Sequence, residues 1–479
     1  MNRSQILPQE LIGIDEGLNI LSPFYSEEKS RKLWLPTMID LPVSDMNSSN
    51  GYSHNLTQNL HLFKQKKEMI PKICLETSWK SLPSLQQDTT EADDINVIAR
   101  KIRFYPNQKQ KKLFEKCFNG SRYFYNKSIE QLKYESKHSE KLSLNLPTLR
   151  NKIMLSDAEL KDENIWQKDI PFDTRQLAIK EAIGSYKSSL KLKSKQHISH
   201  FTHRFKCKKD KTQIFHVDKN AYKNNKIFIR RLGKKYSVIY LRKKNKKLLQ
   251  KFLPNGIEHD FTIQKTKTNK YYLILSKIVK TEKEDKPFHQ IALDPGVRTF
   301  QTGYNPNGLI LECGKKDIQK IKKLHDKIDT LQSLRTKGVK NVIKRIDRLN
   351  EKCHNYIHNM HRQLASFLTK NFDEIYLPSF NVKKMLIRNK RSISSKTARE
   401  MQILSFYRFK QLLQSLSKRR NTKLFIVNES HTTKTCGNCG ILNNIGSSEI
   451  YECSSCHFRA SRDINAARNI FMKNLMLDL

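Results

Sequence analysis

Thr432-Thr433-Lys434-Thr435-Cys436-Gly437-Asn438-Cys439-Gly440, with Cys453-Ser454-Ser455-Cys456 following after 13 intervening residues, decides how this chain is read. Each Cys-x2-Cys pair supplies two thiolates from one tight turn, and two such turns close a tetrahedron around Zn²⁺. Gly437 and Gly440 ease the first turn. The plain alternative is four unrelated core cysteines. Carboxylates flank the stretch: Glu429 precedes the first pair and Asp463 follows the second.

Outward from the cysteines, the bulk composition narrows the partners. The chain has 479 residues and a formal charge of +44. Residues 1–94 hold nine Lys/Arg against thirteen Asp/Glu, so the remaining 385 hold 81 against 33, a net of +48. A body this basic repels itself unless a polyanion neutralises it, and nucleic acid is the natural one. A solvated basic surface without a ligand is the alternative. The other five cysteines are scattered singly, and Met1–Ile20 has no secretory pattern, which points to a reducing, intracellular compartment. No apolar run is long enough to span a membrane, so no membrane partner is expected.

Residues 1–94 are polar and without period, and are expected to be a poorly ordered extension. Within them Lys64-x-Lys66-Lys67 is a weak nuclear-import candidate. From Ile95 the pattern sharpens. Residues 96–105 alternate as a strand; Gln108–Lys137 and Asp173–Leu190 carry helical apolar stripes. Lys226–Arg231, Tyr236–Arg242 and Tyr271–Ile278 alternate as strands. A basic β-barrel over 95–285, with a helical insertion at about 107–200, fits this stretch. From 286 onward the reading is three strands, a helical hairpin at about 316–370, a strand at Glu374–Leu377, one helix over Lys396–Arg419, a strand at Lys423–Asn428, the cysteine ribbon at about 430–460 and a last helix from Asp463. The fold class is multidomain α/β plus β.

Three acids stand where a rigid scaffold could present them. Asp294 ends the apolar strand Ile291-Ala292-Leu293 before Pro295-Gly296, and Glu429 follows the strand Leu424-Phe425-Ile426-Val427. Asp463 opens a helix. Singly, these read as a turn residue, a solvated charge and an N-cap. Together, two strand ends and a helix start can converge and hold two divalent cations about 4 Å apart. Mg²⁺ suits hard carboxylate oxygens and phosphodiester hydrolysis.

With these motifs in this order, the chain resembles the TnpB and Fanzor family of transposon-encoded, RNA-guided DNA endonucleases. Ile291-Ala292-Leu293-Asp294-Pro295-Gly296-Val297-Arg298 is similar to its first RuvC motif, the stretch from Thr432 to Gly440 to its zinc-ribbon start, and Ser461-Arg462-Asp463-Ile464-Asn465-Ala466-Ala467-Arg468-Asn469-Ile470 to its third RuvC motif. Arg103-Phe104-Tyr105-Pro106-Asn107 and Gly120-Ser121-Arg122-Tyr123-Phe124-Tyr125-Asn126 resemble its N-terminal strand and helix. The resemblance implies a RuvC-like (RNase H fold) nuclease domain with an inserted zinc ribbon, preceded by a β-barrel wedge with a helical recognition insertion.

One departure is informative. The family's second motif places a catalytic glutamate where this chain has Pro378, and Glu374 lies four residues too early. The resemblance to the Fanzor branch, with its glutamate one strand further on, implies Glu429 instead. It therefore implies a Mg²⁺ site of Asp294, Glu429 and Asp463, a structural Zn²⁺ on Cys436, Cys439, Cys453 and Cys456, a guide RNA and target DNA as partners, and a nuclear site of action. Arg103, Tyr105, Arg122, Tyr123, Tyr125, Asn126 and Lys127 are candidates for nucleic-acid contact, with helix packing as the alternative. Two other functions remain open: a transposase on the same fold, or a catalytically inactive nucleic-acid-binding relative.

Overall fold

The computed structural model describes residues 37–38, 95–138, 141–155, 160, 162–282, 285–387, 393–446 and 448–475. The extension expected over 1–94, with its Lys64–Lys67 run, lies outside the described residues apart from one short strand, β1 (Thr37–Met38). The chain divides into two compact units, one built on Val97–Val279 and the other from Lys280 onward together with β1. No described helix is long and apolar enough to cross a membrane.

The first unit pairs an open sheet with a helical layer. Its strands are β2 (Ile95–Phe104), β3 (Thr212–Val217), β6 (Phe261–Thr266) and β7 (Tyr271–Lys280), in the order β2-β7-β6-β3; the small hairpin β4 (Tyr222–Lys223) and β5 (Lys226–Ile227) stands apart. Helix α1 (Gln108–Lys137) starts at Asn107, whose side chain and that of Gln110 cap each other's backbone N–H. The helix serves two cores. Phe114, Cys117 and Phe118 pack on the sheet with Phe215, Ile263 and Leu273. Further along, Phe124, Ile129 and Leu132 pack with Ala178, Ile179, Ala182 and Ile183 of a later helix (Phe172–Ser194) and with Leu149 of a short one (Leu146–Ile153). In chain order these are α3 and α2.

The sheet is not the barrel that the alternating runs suggest. Its edge strands β2 and β3 do not pair with each other. The run Lys226–Arg231 is extended only as β5, because Phe228 turns to φ 49 and helix α4 (Ile229–Tyr236) begins. In Tyr236–Arg242, Val238 makes only an isolated bridge to Lys226, and Tyr240 accepts a single bond from the Tyr105 N–H. Alternation alone cannot close a barrel when the strand has no continuous partner. A basic helix, α5 (Lys243–Phe252), follows.

The second unit is a six-stranded mixed sheet with helices on both faces. The strands are β1, β8 (Phe288–Pro295), β9 (Gln301–Tyr304), β10 (Ile310–Cys313), β11 (Phe372–Pro378) and β12 (Lys423–Val427), in the order β1-β10-β9-β8-β11-β12. β8, β11 and β12 run parallel, and β9 and β10 are antiparallel to their neighbours. One face carries Ile291, Leu293, Ile375, Leu377, Leu424 and Ile426, covered by α6 (Lys315–Thr336), α7 (Val342–Asn371) and α9 (Phe406–Arg419) through Ile318, Ile321, Leu364, Leu368, Phe409 and Leu413. The other face carries Ala292, Tyr304, Tyr376 and Val427, covered by the final helix α10 (Arg462–Leu475) through Ile464, Ala467, Ile470 and Phe471. Gly303 leaves room for close packing on this sheet, since a Cβ there would meet the Ile291 Cδ1 at 2.9 Å and the Leu311 Cβ at 3.3 Å. The single helix expected over Lys396–Arg419 is two, α8 (Ser395–Leu404) and α9, because Ser405 adopts φ 52. His361 Nε2 bonds the Leu404 carbonyl at that break, at 3.0 Å.

Candidate functional site

β8, β11 and β12 bring their carboxyl ends to one edge of the sheet, the edge where parallel sheets present ligand groups. Tyr376 is in register with Ala292, and Pro378 with Val427. Side chains alternate faces along a strand, so Asp294 shares the α10 face with Ala292 two residues earlier. Thr302 lies directly across from Asp294 on β9. Glu429 comes two residues after Val427, just past the end of β12, and Asp463 sits in the first turn of α10, immediately before Ile464 of the same core.

Electrostatics tie the three acids together. Asp294 keeps some accessible surface, yet protein surrounds its carboxyl densely, and desolvation is the main reason it is pushed well above the usual range. The charges of Asp463 and then Glu429 push it further in the same direction, and Arg462 opposes them. Burial raises Glu429 to about 7. Arg462 Nε stands 3.6 Å from Asp463. The acids are less tightly gathered than the cysteines: among the described residues, only the four thiols form a group of three or more ligand atoms within 4.8 Å of one another. Like charges gathered in one place repel, and that repulsion favours a divalent cation among them.

Glu374 is a different kind of acid. It lies four residues before Pro378, and its carboxylate accepts from Gln290 Nε2 (2.9 Å), Tyr376 Oη (3.1 Å) and Lys423 Nζ (3.1 Å). Burial works against its charge, but these hydrogen bonds outweigh it and hold the carboxyl below its ordinary range. It is fully engaged in holding three strands together.

The four cysteines come from two matching turns. The first is bounded by the Cys436 N–H to Ile441 carbonyl bond (2.8 Å), the second by the Cys453 N–H to Phe458 carbonyl bond (3.0 Å) and by the hairpin β13 (Ile450–Glu452) and β14 (Arg459–Ser461). Cys436–Cys456 and Cys439–Cys453 sulfurs are each 3.6 Å apart. Tetrahedral Zn–S bonds of about 2.3 Å set sulfurs about 3.8 Å apart, so the four thiols fit Zn²⁺. Burial pushes the Cys453 thiol up, but the Cys456 and Ser455 N–H groups and the Asn443 amide outweigh it and bring it down to about 6.

Sequence reasoning missed what binds this ribbon to the sheet. Asn465 and Asn469, each 1% exposed on α10, reach the segment between Glu429 and the first knuckle. Asn465 accepts from the Gly437 N–H at 2.9 Å and donates to the Thr435 carbonyl at 2.8 Å. Asn469 donates to the carbonyls of Thr432 (2.8 Å) and Thr435 (2.7 Å). One turn on, Lys473 donates to the Ser430 carbonyl at 3.0 Å. The only sequence signal is polar residues at i, i+4 and i+8 along α10, which also carries Arg462, Asp463, Arg468 and Asn474.

In the first unit, Arg122, Tyr123, Asn126 and Lys127 line one groove of about 470 Å³, joined by Trp166 and Phe205 from elsewhere in the chain. Tyr123 and Trp166 meet edge to face at 5.1 Å, and both Trp166 (36% exposed) and Phe205 (46%) present ring surface to solvent. Asn126 is bonded through its amide to both backbone groups of Lys206. This anchors a run, 187–211, with nine Lys/Arg and one acid. Tyr125 points the other way: it is buried in the helical core, with Lys206 Nζ 4.1 Å from its ring centre. Arg103 belongs to a separate cluster in which its guanidinium and that of Arg242 both lie 4.9 Å from the Tyr105 ring.

Two family models match the chain: "Cas12f1-like, TNB domain" over residues 406–470, and "Helix-turn-helix domain" over 97–141. In the second window the structure has β2 and the single helix α1 rather than two helices. Two TnpB-like proteins of Acanthamoeba polyphaga mimivirus are similar over nearly the whole chain. One is 27% identical over 473 residues, covering 94% of this chain and 88% of the relative; the other is 26% identical over 477, covering 95% and 89%. A cryo-EM structure of a Cas12f1–sgRNA–target DNA complex aligns at 15% identity over 76% of this chain and 83% of that one, with a TM-score of 0.44.

Proposed function

We propose that this chain, as a protein of the TnpB/Fanzor type, is an RNA-guided DNA endonuclease in which residues 286–479 form a RuvC-like (RNase H fold) nuclease domain. The supporting observation is the upward push on Asp294 from both Glu429 and Asp463. Two strand ends and a helix start here crowd like charges into a desolvated place, which is costly unless a cation compensates. In this reading Asp294, Glu429 and Asp463 hold divalent cations. Mg²⁺ bound there would activate the attacking water and stabilise the leaving 3′ oxygen.

The chain's own residues then do the rest. Glu429, raised to about 7 by burial, would have to release its proton to serve as a ligand. Pro378 closes β11 without a ligand and leaves the metal edge to the neighbouring strand. Cys436, Cys439, Cys453 and Cys456 hold a structural Zn²⁺ between Glu429 and Asp463. Residues 95–285 grip guide RNA and target DNA. The groove of Tyr123, Trp166 and Phe205 offers ring faces to unpaired bases, while the 187–211 run meets phosphates.

The test is to purify the full chain from cells that carry the DNA flanking its coding sequence, sequence the RNA retained, and supply DNA matching that RNA. The expected result is Mg²⁺-dependent breaks in matched DNA only. Absence of retained RNA, or equal cutting of unmatched DNA, overturns the reading. Joined ends in place of breaks mark a transposase instead.

A further inference from the structure

We infer that Asn469, with Asn465 and Thr432, forms a positioning clamp that holds Glu429 and Asp463 in one frame, so that the zinc ribbon and the cation site are assembled by the same helix face. The inference rests on the cation-site reading above and extends it to residues that touch neither metal.

The path is short. Asp463 is on α10, six residues before Asn469. Asn469 donates to the Thr432 carbonyl at 2.8 Å. Thr432 in turn donates to the Glu429 carbonyl twice, from its N–H at 3.3 Å and its Oγ1 at 2.9 Å. Two links therefore separate the backbone of one acid from the helix bearing the other. Asn465 extends the clamp into the first knuckle by bonding Thr435 and Gly437. The approach is close enough to demand glycine: a Cβ at 437 would meet Asn465 Oδ1 at 2.7 Å.

Chemistry argues against a packing role alone. The neighbouring buried positions of α10 that face the sheet are Ile464, Ala467, Ile470 and Phe471. On the ribbon side the helix instead buries two amides and an ammonium-bearing Lys473, 6% exposed. Buried amides are tolerated because each makes two bonds to backbone groups that have no water to turn to. Such bonds fix distance and direction, as apolar contacts do not. Groups bonded directly to a metal's ligands typically change its affinity by about 10–100-fold when lost, which sets the upper scale for a clamp acting one link further out.

The experiment is Mn²⁺ titration of the full-length chain, followed by electron paramagnetic resonance, with bound zinc measured on the same samples. Asn469→Leu should raise the Mn²⁺ Kd about tenfold while zinc content stays at one per chain. Thr432→Val, which keeps the shape and removes only the hydroxyl donor, should raise it about threefold. It serves if Asn469→Leu does not fold. Glu429→Gln is run beside them. If it weakens Mn²⁺ binding while the folded Asn469→Leu and Thr432→Val variants bind as wild type, the clamp is refuted. If Glu429→Gln itself has no effect, the cation-site reading is what fails.

Discussion

Pro378 lies in direct register with Val427 on the adjacent parallel strand, and Glu429 follows two residues beyond Val427. The carboxyl edge of the sheet thus has a proline where β11 ends and a glutamate on the next strand over. Glu429→Gln should lower the cleavage rate of guide-matched DNA by at least about 1,000-fold, the scale of several kcal/mol of lost metal-borne stabilisation. DNA binding, measured by mobility shift, should be retained. Adding Pro378→Glu to that variant should recover part of the rate, because position 378 continues the row that contains Asp294.

Binding of cations should depend on pH in a stated direction. Burial holds Glu429 at about 7 in the metal-free fold, above its unfolded value. The folded chain therefore keeps a proton that the unfolded chain has lost, and this group's contribution to metal-free stability falls as pH rises from about 4.5 to about 7. Metal binding shows the reverse trend, since the cation displaces the proton. The rise in melting temperature on adding Mg²⁺ should be larger at pH 8 than at pH 6, and Glu429→Gln should flatten that difference.

Zinc removal should act on the same site from a distance. Cys453→Ser, or chelation strong enough to strip the thiolates, should release the ribbon, lower the melting temperature and abolish cleavage. Zinc content by atomic absorption should fall in step with activity. Full activity at zero zinc would separate the ribbon from the nuclease site.

The aromatic groove makes a prediction for the first unit. Trp166→Ala and Phe205→Ala should each weaken binding of single-stranded nucleic acid about tenfold, the scale of one lost stacking contact, with a modest drop in melting temperature only for Trp166→Ala, whose ring packs on Tyr123. Tyr125→Ala should do the opposite, destabilising the helical core around Ile183 and Tyr186.

Much of this was legible in the sequence because it rests on local pattern. The paired cysteines announce two turns, the unbroken apolar runs Ile291–Leu293 and Leu424–Val427 announce strands with two apolar faces, and α6 and α7 follow their apolar spacing. The rest depends on partners that a linear pattern does not name. The run at Tyr236–Arg242 alternates like a strand but finds only an isolated bridge. Ser405 breaks a helix whose periodicity runs straight through it, because His361 is there to take the freed carbonyl. Asn465 and Asn469 look like a solvent-facing stripe until the ribbon folds over them. The groove needed Trp166 and Phe205, each roughly 40–80 residues from α1's aromatic pair.

The central claim is that three carboxylates, distant in sequence, share one divalent-cation site. Equilibrium Mn²⁺ binding to the full-length chain tests it most directly, across Asp294→Asn, Glu429→Gln, Asp463→Asn and, as a control, Glu374→Gln. The first three should each weaken binding by at least about tenfold, and the fourth should leave it unchanged, because Glu374 is committed to Gln290, Tyr376 and Lys423. Wild-type Mn²⁺ affinity in Glu429→Gln would contradict the account.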